Sequence, residues 1–147
     1  MSSTSSLIKN RIETLLNVLK VAGTLGEVRK EDLKTPFTVL DVAAFPVAII
    51  TPPAIEADFF TNRQNERAYT FQVHVIQKAE NIASATDIED LAEAIMDAID
   101  NDPTLGNTSD AGVQPTITQP EPVTSGDNSF IAFTVTIKAK AIKNLNF

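Results

Sequence analysis

Apolar residues recur along this chain with two periods, and the order of the periods predicts the fold. Ile8, Ile12, Leu15, Leu16 and Leu19 repeat at steps of three and four, with Lys9, Arg11, Glu13 and Lys20 outside the stripe. That spacing predicts an amphipathic helix. Ser5 or Ser6 is placed to cap it, Gly23 is placed to end it, and residues 1–5 read as a flexible tail. Residues 24–37 are mixed and charged, a connection with a short strand at 25–29 that Pro36 closes. Phe45-Pro46-Val47-Ala48-Ile49-Ile50-Thr51 is a nearly continuous apolar run stopped by Pro52-Pro53, which suits a buried strand, and a second strand is expected near 55–60.

Tyr69, Phe71, Val73 and Val75 then alternate with Thr70, Gln72 and His74, the period of a strand with one face on a core. The helical period returns at Ile88, Leu91, Ala92, Ile95, Met96 and Ile99. Thr86 followed by Glu89 fits a capping box at the start of this second helix. Residues 101–103 and 105–107 are breakers, and the segment 110–123 carries Pro115, Pro120 and Pro122, which confine it to a sheet edge. After a turn at 125–128, Ile131, Phe133, Val135, Ile137 and Ala139 alternate with Ala132, Thr134, Thr136, Lys138 and Lys140, a strand for the middle of the sheet. The order predicts a single α+β domain over residues 1–147, with an antiparallel or mixed sheet of four to five strands and two helices packed on one face. No internal repeat and no interdomain linker interrupts it.

Charge changes this picture at one place. The chain has 19 acids against 12 Lys and Arg, a formal net charge of −7. Asp87, Glu89, Asp90, Glu93, Asp97, Asp100 and Asp102 are seven acids with no Lys or Arg among them, so the second helix and its end hold the whole excess. Such a face is either the solvated side of a packed helix or a surface turned to a partner, a lumen or a cation. Asp87, Glu89 and Asp90 sit where the helix dipole favours negative charge, and this first-turn cluster is the expected place for a magnesium or calcium ion assisting assembly. The D-x-[DN]-x-[DN]-G spacing of a calcium loop is missing. A second polar stretch, Asn62, Arg63, Gln64, Asn65, Glu66 and Arg67, lies between two strand patterns and reads as the tip of a long hairpin. With no apolar residue to hold it, the tip is either a mobile loop or an assembly contact ordered on docking.

Composition removes several functions. There are no cysteines, hence no disulfides, thiol catalysis or cysteine metal sites. No P-loop, dinucleotide fingerprint, nucleophile elbow or H-E-x-x-H occurs, and His74 alone makes a poor base or metal site. An acidic balance opposes nucleic-acid binding. No apolar run approaches the ~20 residues of a membrane span, and the Ser/Thr start does not read as a signal peptide, so the expectation is a soluble, non-exported protein.

The 45–49 run, the polar hairpin tip, the strand 69–75, the cap and helix from Thr86 to Leu91, and the closing strand 133–137 together resemble the tail terminator (minor tail, tail completion) proteins of long-tailed, lambda-like phages. The resemblance covers nearly the whole chain and rests on element order and patterning. It implies a non-enzymatic virion protein, assembled in the host cytoplasm. In that family a homohexameric ring sits on the head-proximal end of the tail tube, stops its polymerisation and offers a surface to the head connector or neck protein. The partners implied are thus further copies of the chain, the tail tube protein and the connector, with DNA passing the channel unbound. The segments 110–125 and 143–147 depart from the pattern, so no contact is carried over there. Two other readings stand beside it: another neck or tail-tube component, and a small ligand-binding domain or enzyme using the carboxylates. A concave pocket holding several of those acids within one subunit would favour the last.

Overall fold

The computed structural model describes residues 3–30, 44–61, 64–82, 85–102, 105, 113–125 and 128–144. Its elements are α1 (Thr4–Val21), β1 (Glu27–Lys30), β2 (Val47–Ile50), β3 (Ala54–Thr61), β4 (Gln64–Lys78), a 3-10 turn (Ala79–Asn81), α2 (Ala85–Asp100), β5 (Gln114–Ile117), β6 (Glu121–Ser125) and β7 (Asn128–Asn144). The fold is α+β, as the two periods predict.

The sheet has seven strands rather than four to five, and the prolines supply the reason. β2 and β3 both pair antiparallel with β4, one after the other, on either side of Pro52-Pro53. β5 and β6 likewise both pair with β7, with Pro120 between them. A proline has no N–H for the ladder, so each of these two lanes is broken into two strands while keeping one direction. The result is five lanes: β1, then β2 with β3, then β4, then β7, then β5 with β6. β1 runs parallel to β2, which makes the sheet mixed. The last strand lies in the middle of it, as its alternation predicts.

Both helices cover the face onto which β4 and β7 turn their odd-numbered residues. Phe71, Val73, Val75, Val135 and Ile137 are fully buried there, against Ile8, Ile12 and Leu16 of α1 and Ile95 and Ile99 of α2. β2 is buried at all four residues, as its continuous apolar run requires. On the opposite face Phe130 stacks on Phe45 at 5.6 Å between centroids, and the Lys78 ammonium lies 5.3 Å from the centre of the Phe45 ring.

The termini of the helices differ in part from expectation. α1 is capped by Ser3, whose side chain accepts from the Ser6 N–H at 3.1 Å, so Ser5 and Ser6 lie in the helix and only residues 1–2 of the expected tail precede the described chain. Several adjacent Ser and Thr offer the same acceptor, and the earliest that extends the helix wins. At the other end Gly23 has φ +86°, its N–H bonds Lys20 O at 3.1 Å, and the Thr24 N–H bonds Leu19 O at 2.9 Å. This is the paired closure of a glycine-terminated helix. α2 begins at Ala85, which puts Thr86 in the first turn rather than at the cap. The capping position falls on residues 83–84, outside the described residues.

Candidate functional site

Element lengths decide which part of the sheet the helices leave uncovered. A strand rises ~3.4 Å per residue and a helix 1.5 Å. β4 and β7, with 15 and 17 residues, therefore run roughly 50 and 58 Å, while α1 with 18 residues spans only about 27 Å. The buried inward positions of β4 begin at Tyr69. Ahead of Tyr69, β4 forms an arm with β3 on one side and the end of β7 on the other.

Gln64, Asn65, Glu66 and Arg67, expected in a loop, are the first four residues of β4. Each is paired on both sides: Asn65 with Phe59 and Lys143, Glu66 with Asp58 and Ile142, Arg67 with Ala57 and Ala141. The hairpin tip reduces to Asn62 and Arg63, which lie outside the described residues. The run was read as a loop because its side chains are polar, but a ladder satisfies backbone groups whatever the side chains are. On a ribbon without a helix over it both faces tolerate polar residues. Lys140 Nζ and Glu66 Oε1 approach to 3.4 Å across this arm. At the end of the chain, residues 145–147 lie outside the described residues.

The arm leaves one long edge open. Among the described residues β3 pairs with β4 alone, and Ala54, Ile55, Glu56 and Ala57 are exposed. On the opposite side of the sheet β5 and β6 pair only with β7 among the described residues, as the prolines of 110–123 imply; residues 110–112 are outside the description. Composition did not single out the β3 edge. Pro52-Pro53 followed by the alternation of Ile55 and Ala57 with Glu56 and Asp58 carried the signal.

The acidic helix turns Ile88, Leu91, Ala92, Ile95 and Ile99 into the core, while Met96 is half-buried. Asp87, Glu89, Asp90, Glu93, Asp97 and Asp100 are exposed. Asp102 is turned back to α1, its Oδ2 accepting from Arg11 Nε at 2.6 Å. The first-turn carboxylates do not converge as a cation site within one chain. At roughly 100° per residue Glu89 lies about 200° around the helix from Asp87, and among the described residues no three His, Cys, Asp or Glu are placed to hold a metal ion.

Asp87 and Asp90 do share a cleft of about 540 Å³, bounded by Gly23 and Thr24, the cis Phe45–Pro46 peptide, Gln77, Asn81 and Ile82, and the first turns of α2. It holds two of the seven acids, with amides and apolar side chains and, among the described residues, no basic residue in its lining. His74 lies on the face of the sheet away from the helices, its Nδ1 3.0 Å from Thr134 Oγ1. Among the described residues no helix is long and apolar enough to cross a membrane.

No protein-family model matches the sequence, and no curated protein matches it. Among solved structures the fold is similar to a chain of the virion of a native gene transfer agent particle, with a TM-score of 0.55. The match covers 90% of this chain and 92% of that one, at 13% sequence identity. At that identity the likeness is one of fold.

Proposed function

We propose that this chain is a structural subunit of a phage-like particle and, within it, a tail terminator: a homohexameric ring on the head-proximal end of the tail tube that stops polymerisation and offers the head connector its docking surface. The observation that carries the coarser part is the fold shared, over nine-tenths of both chains, with a virion chain. The arm and its edges support the finer part. A subunit with an open edge on β3 and another on the β5–β6 lane can set one against the other of its neighbour, a contact between two different surfaces that closes into a ring when the rotation divides the circle. An open strand edge is a pairing hazard unless something covers it.

The exposed α2 carboxylates fit the same role. Like charge suppresses the binding of DNA phosphates as a genome passes, and in a ring these faces repel one another unless cations screen them. Magnesium would then act between subunits, since the first-turn acids do not converge within one. The role is structural, carried out in the virion after assembly in the host cytoplasm.

The test is to purify the chain, measure its assembled mass, and localise it by electron microscopy on tails grown with and without it. A six-membered ring at the head-proximal end, with overlong tails in its absence, is the expected result. Copies spaced along the tube, or a ring inside the neck, would replace the terminator by one of those components.

A further inference from the structure

Packing of the subunit leaves a second stripe of α1 unused. Ile8, Ile12 and Leu16 enter the core, while Leu7, Val18 and Val21 stand 46%, 63% and 89% exposed. Beside them Thr14, Asn17, Val18 and Val21 line a shallow concavity of about 390 Å³. Their spacing is i, i+3, i+4, i+7, which is the four-residue hole that one side chain of a facing helix fills in knobs-into-holes packing. None of the four is charged. Of the charged residues of α1, Arg11 is engaged with Asp102 at 2.6 Å and Glu13 with Lys30 at 3.5 Å.

We propose that this stripe is a self-association surface, on which α1 of a second copy packs antiparallel with Leu7 of each chain seated in the hole of the other. One feature of α1 selects a second copy. Leu7 is an exposed apolar side chain one heptad before Thr14, on the same seam as the hole, so a two-fold axis through the middle of the helix gives each chain both a knob and a hole. Thr14 of each copy then lies over Leu7, Asn10 and Arg11 of the other. Charge decides which face of the chain can meet its copy. The chain carries −7, and contact through α2 would set carboxylates against carboxylates, whereas the α1 stripe lets two copies meet without that repulsion.

The contact is isologous, distinct from the head-to-tail ring, and stands whether or not the ring forms. A single seam about 27 Å long falls well short of the roughly 1,200–2,000 Å² that a lasting interface buries. The pair therefore forms at high concentration or strengthens a larger assembly in which many copies are already held together.

The natural chain has no cysteine, so single cysteines report the contact cleanly. Mixing Leu7→Cys and Val18→Cys chains under mild oxidation is expected to give a disulfide-linked heterodimer that neither chain gives alone, because the two-fold brings residue 7 of one copy beside residue 18 of the other. In sedimentation velocity the full-length wild type should show a reversible dimer as concentration rises, lost in Val18→Lys with an unchanged circular dichroism spectrum. Equal self-linking of each cysteine chain alone, a wild type monomeric at every concentration, or a dimer that survives Val18→Lys overturns the proposal and leaves the hole to a helix of another protein. Rings that persist in Val18→Lys while the dimer is lost support two separate contacts, and a wild type that dimerises through α1 without forming rings counts against the ring alone.

Discussion

If subunits join through the β3 edge, a proline placed there separates assembly from folding. Adjacent residues of a strand direct their N–H groups alternately to the two sides, so of Glu56 and Ala57 one points its N–H at β4 and the other away. The eight residues of β3 thus offer about four outward N–H groups to a neighbouring strand. Proline at the outward position removes one of these and leaves the ladder with β4 intact. Each such hydrogen bond contributes roughly 0.5–1.5 kcal/mol net. A loss of about 1.4 kcal/mol is tenfold at one contact. A hexamer closes six contacts against five powers of subunit concentration, so tenfold at each raises the half-assembly concentration about 16-fold. The inward position instead breaks a bond within the subunit, at roughly 1–3 kcal/mol of folding stability. Sedimentation velocity and urea denaturation of Glu56→Pro and Ala57→Pro form the assay. One variant should fold normally and assemble poorly, and the other should lose stability. If both assemble at the wild-type concentration, or both lose only stability, β3 is not the contact.

Ile95→Ala, at a fully buried position of α2 facing the sheet, should cost about 2–5 kcal/mol in urea denaturation; a loss under ~1 kcal/mol would mean that the helix does not pack as described. Gly26→Ala should destabilise by roughly 1–3 kcal/mol, because its Cβ would come within 2.8 Å of Ala44 C and Phe45 O; a neutral result would show that this backbone yields freely. Replacing Asp87, Glu89, Asp90, Glu93 and Asp97 by their amides takes the formal net charge from −7 to −2. Folding should change by no more than about 0.5 kcal/mol per exposed site. Assembly should lose most of its dependence on salt, and retention on DNA should rise. A salt profile identical to wild type would mean that these faces are not opposed in the assembly.

What was legible in the sequence is what period reports. The stripes of α1 and α2, the alternation of Phe71 with Val73 and Val75, and that of Phe133 with Val135 and Ile137 each carry the buried set directly, because a side chain's face follows from its position in the repeat. Lane structure was half legible. Prolines mark interruptions in Pro52-Pro53 and Pro120, but whether the chain turns away or resumes the same lane depends on a partner strand far along the sequence. Residues 64–67 were misread for a related reason, since nothing local in Gln64-Asn65-Glu66-Arg67 states that β7 lies alongside. Glu89 is near Asp87 in sequence yet points to another side of the helix, so within one subunit the first-turn acids are spread around it. The hole at Thr14, Asn17, Val18 and Val21 is present as spacing, but the stripe of Ile8, Ile12 and Leu16 is the more apolar of the two.

The distribution of prolines also ranks the edges. β5 contains Pro115 and β6 contains Pro122, each unable to donate, and both strands are short at four and five residues. β1 is four residues long. β3 has eight residues and no proline, and among its described side chains Glu56 is the one charge. Natural sheets protect an open edge by shortening it, kinking it or denying it donors, and in this chain those devices are concentrated on the other outer strands. The arm, five β4 residues or roughly 17 Å long, adds no buried β4 position to the core of its own subunit, since the buried positions of β4 begin only at Tyr69. Length without burial and an edge without protection coincide on β3, and both are accounted for once a neighbouring strand supplies the missing partner.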